Sequence, residues 1–236
     1  MAKTNPTTQA YAELQSAWVH YNRELFGGKL PPCLITMQRE KRTYGYFSSQ
    51  RFVHRHDKSK TDEIAINPSY FAVVPLLEIL QTLVHEMTHQ WQSHFGEPGR
   101  RTYHNREWSE KMESIGLMPS STGQPGGAKT GEKMADYPIA GGAFMSATDA
   151  LLKKNFAVSW LDRMPPAGPL GAVAGGKLSG LALTLGALLT PAPPGNRSNR
   201  VKYRCPSCSA QLWGKPSLRV LCGVEKCRRA EFEPVE

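Results

Sequence analysis

Apolar residues recur at helical spacing from the start of the chain. Tyr11, Leu14, Trp18, Tyr21 and Leu25 share one face, so residues from about Thr8 to Phe26 are expected to form an amphipathic helix that Gly27-Gly28 ends. The period then shortens. "CLITMQ" and "TYGYFSS" have the β-branched and aromatic content of strands, and "DEIAINPSYF" holds a third, Glu63 to Asn67. Between the last two, "RFVHRHDKSK" is basic and is expected to be an exposed hairpin loop, with His54 and His56 in solvent. Pro75 suits the first turn of a helix, and "PLLEILQTLVHEMTHQWQSHF" keeps one apolar face for about five turns. "HNREWSEKMESIGL" sets Trp108, Met112 and Ile115 on one stripe, which predicts a second helix beginning near His104 and closed by Gly116.

After Pro119 the pattern changes. "PSSTGQPGGAKTGEK" is expected to be a loop, and a short helix follows at roughly Ala143 to Asn155, with Phe144, Leu151 and Phe156 expected to be buried in this part of the chain. The Pro/Gly/Ala-rich stretch 165–199 has the composition of a linker. A compact cysteine-bearing block closes the chain. Four segments result: 8–118, an extension 119–164, the linker 165–199 and the block 200–236. For the extension, completing the fold ranks ahead of covering the site or touching DNA.

Composition narrows the setting. The opening "MAKTNPTTQAYAELQSAW" lacks the apolar run of a signal peptide. "LSGLALTLGALL", residues 178–189, is shorter than the ~18 residues of a membrane span and is broken by glycines. A cytoplasmic protein is expected, nucleoid-associated in a bacterium. Thiols stay reduced there, so clustered cysteines point to metal rather than to disulfides. Cys33 stands alone and is expected to be a small buried residue. The 29 Lys+Arg against 20 Asp+Glu, a formal net charge of +9, favour a polyanionic partner such as nucleic acid; the plainer reading is a basic solvated surface.

Candidate chemistry centres on "LVHEMTHQW". Four residues apart on a helix, His85 and His89 lie about 40° apart and roughly 6 Å along the axis, where one Zn²⁺ can meet both imidazoles. Glu86 is rotated about 100° from His85, too far to be a third helical ligand and near enough to reach a metal-bound water. This is the H-E-x-x-H pattern. A catalytic zinc takes three protein ligands and keeps a position for water. His94 lies about 140° round the helix from His89 and misses the longer motif. His104 is the favoured third ligand and Glu107, one turn on, its rival. Glu110 and Glu113 are expected to face solvent.

In order, "YNRELFGGKLP", "GYFSS", "IAINPSYF", "LLEILQTLVHEMTHQW" and "HNREW" resemble the SprT-like metalloprotease domain, to which Spartan-type proteases belong, over about Tyr11 to Leu117. The resemblance implies an α+β, minimal zincin-like fold: a leading helix, a small sheet, then a metal-bearing helix pair. It implies a histidine as third ligand, His104 here, with Asn105 where the family commonly has Gly and Trp108 at its aromatic position. Zinc would lower the pKa of its water from 15.7 to about 7. Glu86 would take the water's proton and pass it to the leaving amine. The strand with Tyr46 and Phe47 either pairs with an extended protein substrate or is ordinary core sheet.

Near the C-terminus, Cys205-x₂-Cys208 is followed by thirteen residues and then Cys222-x₄-Cys227. Four thiolates in two close pairs suit a closed, structural zinc site of the zinc-ribbon type. In so short a block, metal binding would supply the folding free energy. Arg200, Lys202, Arg204, Lys215, Arg219, Lys226, Arg228 and Arg229 surround these ligands, with Tyr203 and Trp213 among them. They are expected to contact single-stranded or junction DNA through phosphates and unpaired bases; the alternative puts Trp213 in the small core. SprT-like proteins often carry such a module and act on proteins attached to DNA. The expected function is therefore a zinc endopeptidase tethered to DNA, with one catalytic and one structural zinc. A DNA-binding or transcription-associated zinc protein without protease activity is the competing reading.

Overall fold

The computed structural model describes residues 5–40, 43–164 and 200–235, in two compact units divided between residues 192 and 193. The linker assigned to 165–199 and the apolar run 178–189 lie outside the described residues. Among the described residues no helix is long and apolar enough to cross a membrane.

The first unit opens with helix α1, Pro6–Phe26. Asn5 caps it by accepting from the Thr7 and Thr8 amides at 3.0 and 3.3 Å. Its apolar stripe is buried at Leu14, Trp18, Tyr21 and Leu25, as the spacing predicts, while Tyr11, assigned to the same stripe, is exposed. Three strands follow: β1 (Leu34–Met37), β2 (Gly45–Val53) and β3 (Lys60–Ile66). β3 is central, parallel to β1 and antiparallel to β2. Helix α2 (Leu76–Phe95) packs on this sheet, and Leu80, Leu83, Val84 and Met87 join Ile64 and Ile66 in one core.

The hairpin between β2 and β3 differs from expectation. Arg51, Phe52 and Val53 continue β2 and Lys60 begins β3, so the loop is confined to residues 54–59. The ladder resumes after an irregularity, pairing Phe52 with Thr61 and Val53 with Lys60. Asp62 holds the irregularity by accepting from the Gln50 amide at 2.8 Å. Charged residues suit such an exposed pair of strands, which is why composition alone reads as loop.

Helix α3 (Arg106–Ser114) buries Trp108 and Met112, and Ile115 beyond its end. Strand β4 (Leu117–Ser120) then pairs with β5 (Ala135–Pro138), and helix α4 (Ala143–Leu152) follows. Pro119 and Ser120 are therefore strand, not the start of a loop, and β4 crosses the 118/119 division suggested by composition. Gly116 has φ +90°, and a Cβ there would lie 2.7 Å from the Ala143 amide nitrogen. Only glycine lets the start of α4 come so close.

The extension completes the core. Phe144 and Leu151 are buried, Phe156 is half-buried, and Phe144 stacks on Tyr21 at 5.8 Å. The Thr148 hydroxyl donates to the Phe144 carbonyl and accepts from Tyr21 at 2.8 Å. His20 Nε2 donates to the Ala147 carbonyl at 2.8 Å. Cys33 is half-buried against the core.

In the second unit, β6 (Val201–Arg204) lies between β7 (Gln211–Gly214) and β8 (Glu233–Val235), all antiparallel. Its buried cluster consists of Cys205, Cys222 and Cys227, flanked by Cys208, Ala230 and Phe232. The chain as a whole is α+β.

Candidate metal centres

Helix α2 delivers His85 and His89 to one face, and the residue just before the cap of α3 delivers His104. Their Nε2 atoms converge: His89 to His104 is 3.0 Å and His104 to His85 is 3.3 Å. Tetrahedral ligands at ~2.05 Å from zinc stand about 3.3 Å apart, so the spacing fits that ion. The far nitrogens are fixed. His85 Nδ1 donates to Asp136 Oδ2 at 2.8 Å, and His104 Nδ1 donates to the Gly131 carbonyl at 3.1 Å. With protons held there, the Nε2 lone pairs of His85 and His104 face the same gap as His89 Nε2, where a cation can accept all three.

Charge balance agrees. Glu86 and Asp136 are buried, and no lysine or arginine ion pair reaches either among the described residues. Ionised, and with the imidazoles neutral as metal ligands, they carry two negative charges, which a divalent cation cancels. Asp136 Oδ1 is buried without a hydrogen-bond partner. Burial drives the Glu86 carboxyl up to about 7; the His85 charge opposes this, while Asp136 adds to it. Burial and the neighbouring imidazoles push His89 well below its usual value and His104 down to about 4, so both are neutral and able to ligate at pH 7. Burial also pushes His85 down, but the Asp136 hydrogen bond and the charges of Glu86 and Asp136 outweigh it, and its pKa is raised.

Strand β2 passes directly over Glu86. A Cβ at Gly45 would meet the Ala65 carbonyl oxygen at 2.8 Å and Glu86 Cγ at 3.4 Å. Glycine is required for that approach, and a backbone hydrogen bond at Phe47 steadies the carboxylate.

The rival ligands are occupied elsewhere. Glu107 accepts from Gln92 Nε2 and from the Glu97 amide, each at 2.7 Å, at the far end of α2. His94 Nε2 bonds Asp62 at 2.6 Å. Glu110 pairs with Arg106, and Glu113 with Lys129, at the surface. Asn105 needs no glycine-like backbone: at φ −84°, ψ −179° it caps α3 by accepting from the Trp108 amide at 3.0 Å. Asp136 and Gly131 are the functional residues that sequence reasoning passed over. They lie in a segment whose glycines and polar residues look like plain loop, and no spacing rule ties them to the histidines.

The four cysteines of the second unit also converge, with all Sγ atoms within 4.8 Å of one another. Cys208 and Cys222 are 3.7 Å apart, and no disulfide forms. Thiolates at ~2.3 Å from a tetrahedral zinc stand about 3.8 Å apart, so this cluster fits zinc as well. Hydrogen bonds from the Cys208 and Ser207 amides draw Cys205 down to about 7 against burial, while burial and the neighbouring sulfurs push Cys227 up to about 12. Such thiols ionise together only around a cation. Of the two aromatics, Tyr203 is buried with its hydroxyl donating to the Lys215 carbonyl at 2.8 Å. Trp213 is 60% exposed, with Lys202 Nζ 5.7 Å from its ring centre.

Comparisons with known proteins bear on the first centre. A family model described as the SprT-like family matches residues 14–126, which include His85, Glu86, His89 and His104. A Salmonella typhimurium protein, described as an uncharacterized protein in the mucB 3' region, is 55% identical over 64 residues, or 27% of this chain and 86% of that relative. No solved structure matches. Convergent histidines, the motif order and these matches agree: the chain belongs to the SprT-like family.

Proposed function

We propose that the chain is a zinc-dependent metalloendopeptidase acting on proteins attached to DNA, and that its four-cysteine module tethers it there. The observation that carries the peptidase reading is the convergence of three imidazole Nε2 atoms beside a buried carboxylate, Glu86, that is not needed as a ligand. His85, His89 and His104 would hold the ion, and Asp136 and the Gly131 carbonyl would orient two of them. Zinc, when bound, acidifies a coordinated water and polarises the scissile carbonyl. Glu86 accepts a proton from the attacking water and returns it to the departing amine.

Among the described residues β2 has a neighbour on one side only, and its Gly45–Phe47 stretch runs beside Glu86. An extended substrate segment would find backbone partners on that open side, with little selection among side chains. For the tether, Trp213 offers an exposed ring for a base, and Lys202, Arg204, Lys226, Arg228 and Arg229 offer charges for phosphates. Tyr203 is withdrawn from that role by burial.

Glu86→Gln tests the mechanism. Zinc content should stay at the wild-type value while cleavage of a protein bound to DNA falls by at least about a hundredfold. Cleavage at the wild-type rate would refute the assignment of Glu86.

A further inference from the structure

The β2–β3 hairpin has no structural task that explains its composition. β1 pairs with β3 only from Glu63 onward, so among the described residues Lys60, Thr61 and Asp62 have β2 as their sole strand neighbour. A two-stranded ribbon therefore runs on past the three-stranded sheet. Every residue from Ser49 to Lys60 is exposed, Val53 to 61%.

Its tip is ordered. The His54 amide donates to the Ser59 carbonyl at 2.7 Å and the Lys58 amide to the His54 carbonyl at 3.0 Å. Asp57, the one acid from residue 51 to 60, is spent inside the turn. It accepts from the Ser59 amide and hydroxyl and lies 2.9 Å from His54 Nδ1. The ribbon's cations are uncompensated by comparison. Arg55 and Lys60 have no ion pair among the described residues, Lys58 Nζ bonds only the Arg55 carbonyl, and Arg51 stands 4.0 Å from Glu63.

We propose that this hairpin is a duplex-DNA contact carried by the first unit itself, with Arg55, Lys58 and Lys60 as phosphate partners. A two-stranded β-ribbon fits the ~12 Å width of the major groove. Val53 and Lys60 face one side while Phe52 and Thr61 face the other, where the Thr61 hydroxyl donates to the Pro32 carbonyl at 3.1 Å, so the charge is presented by the tip and the Lys60 face. A narrow ribbon with its cations at and next to its tip suits insertion into a groove lined by phosphates. The hairpin shares with the proposed function only the choice of DNA as partner and needs nothing from either metal centre.

The test is fluorescence anisotropy of the zinc-loaded 236-residue protein on a labelled duplex of about 20 base pairs, over a series of salt concentrations. Replacing Arg55, Lys58 and Lys60 together by Gln should flatten the slope of log K against log salt by about 2.7, or about 0.9 for each phosphate partner removed. Single Arg55→Gln and Lys60→Gln variants, the safeguard should the triple variant misfold, should each flatten it by about 0.9. Trp213→Ala should spare the duplex slope and weaken binding to a single strand. An unchanged duplex slope in the hairpin variants, with Trp213→Ala still weakening single-strand binding, overturns the hairpin and leaves the tether standing. Wild-type protein that binds neither DNA overturns both. Hairpin-dependent binding to phosphatidylserine vesicles, with none to duplex, assigns the surface to membrane and overturns the proposal.

Discussion

In the first unit, the three imidazoles sit against Trp108, which is buried with Leu83, Met87 and Met112 in one core. In the second, the cysteines are themselves most of what is buried. The difference is one of order. A core with α1, α2, α3 and α4 around a sheet can stand without an ion and offer a shaped site to it. Three short strands around four sulfurs cannot, because so small a unit removes too little apolar surface from water to offset its chain entropy.

Chelation should break this comparison most sharply. Stripping zinc removes on the order of 10–16 kcal/mol of apparent binding energy from a structural site. The second unit should lose its amide dispersion in NMR, while the first keeps a cooperative thermal transition. Loss of both together would mean that the histidine centre is also a folding element. The next effect is in the packing beneath the imidazoles. Trp108 is fully buried and its ring centre lies 4.4 to 5.3 Å from those of all three histidines. Trp108→Ala should cost about 3–5 kcal/mol in denaturant unfolding of the first unit and leave the second unit's transition in place. Asp136→Ala should act more gently and on the metal alone. Zinc affinity at the histidine centre, measured by chelator competition, should fall by about 10–100-fold. An unchanged affinity would show that the His85–Asp136 bond does not hold the ring for the ion.

What sequence revealed follows from how each feature is encoded. His85, Glu86 and His89 obey helical geometry, so their placement was legible from spacing. His104 was legible with less precision, since it depends on where α3 begins, and Glu107 could be set aside only once its bonds to Gln92 and Glu97 were seen. The cysteine pairs were plain because two close pairs are a local signal. Asp136 was not, for it reaches His85 through the pairing of β4 with β5 across a glycine-rich stretch. The length of the β2–β3 hairpin was hidden for another reason. Strand propensity is weak where both faces meet water, and the ladder that sets Val53 opposite Lys60 leaves no periodic trace.

The residues that steady His85 and close the core through Phe144 come after position 126, where the family match ends. A protein trimmed to that match would keep every imidazole and the glutamate yet lack the strand opposite β4 and the lid of the α1 packing. The smallest piece worth purifying thus extends past α4 to Leu161, whose side chain packs on the same core, and similarity alone would have placed the scissors too early.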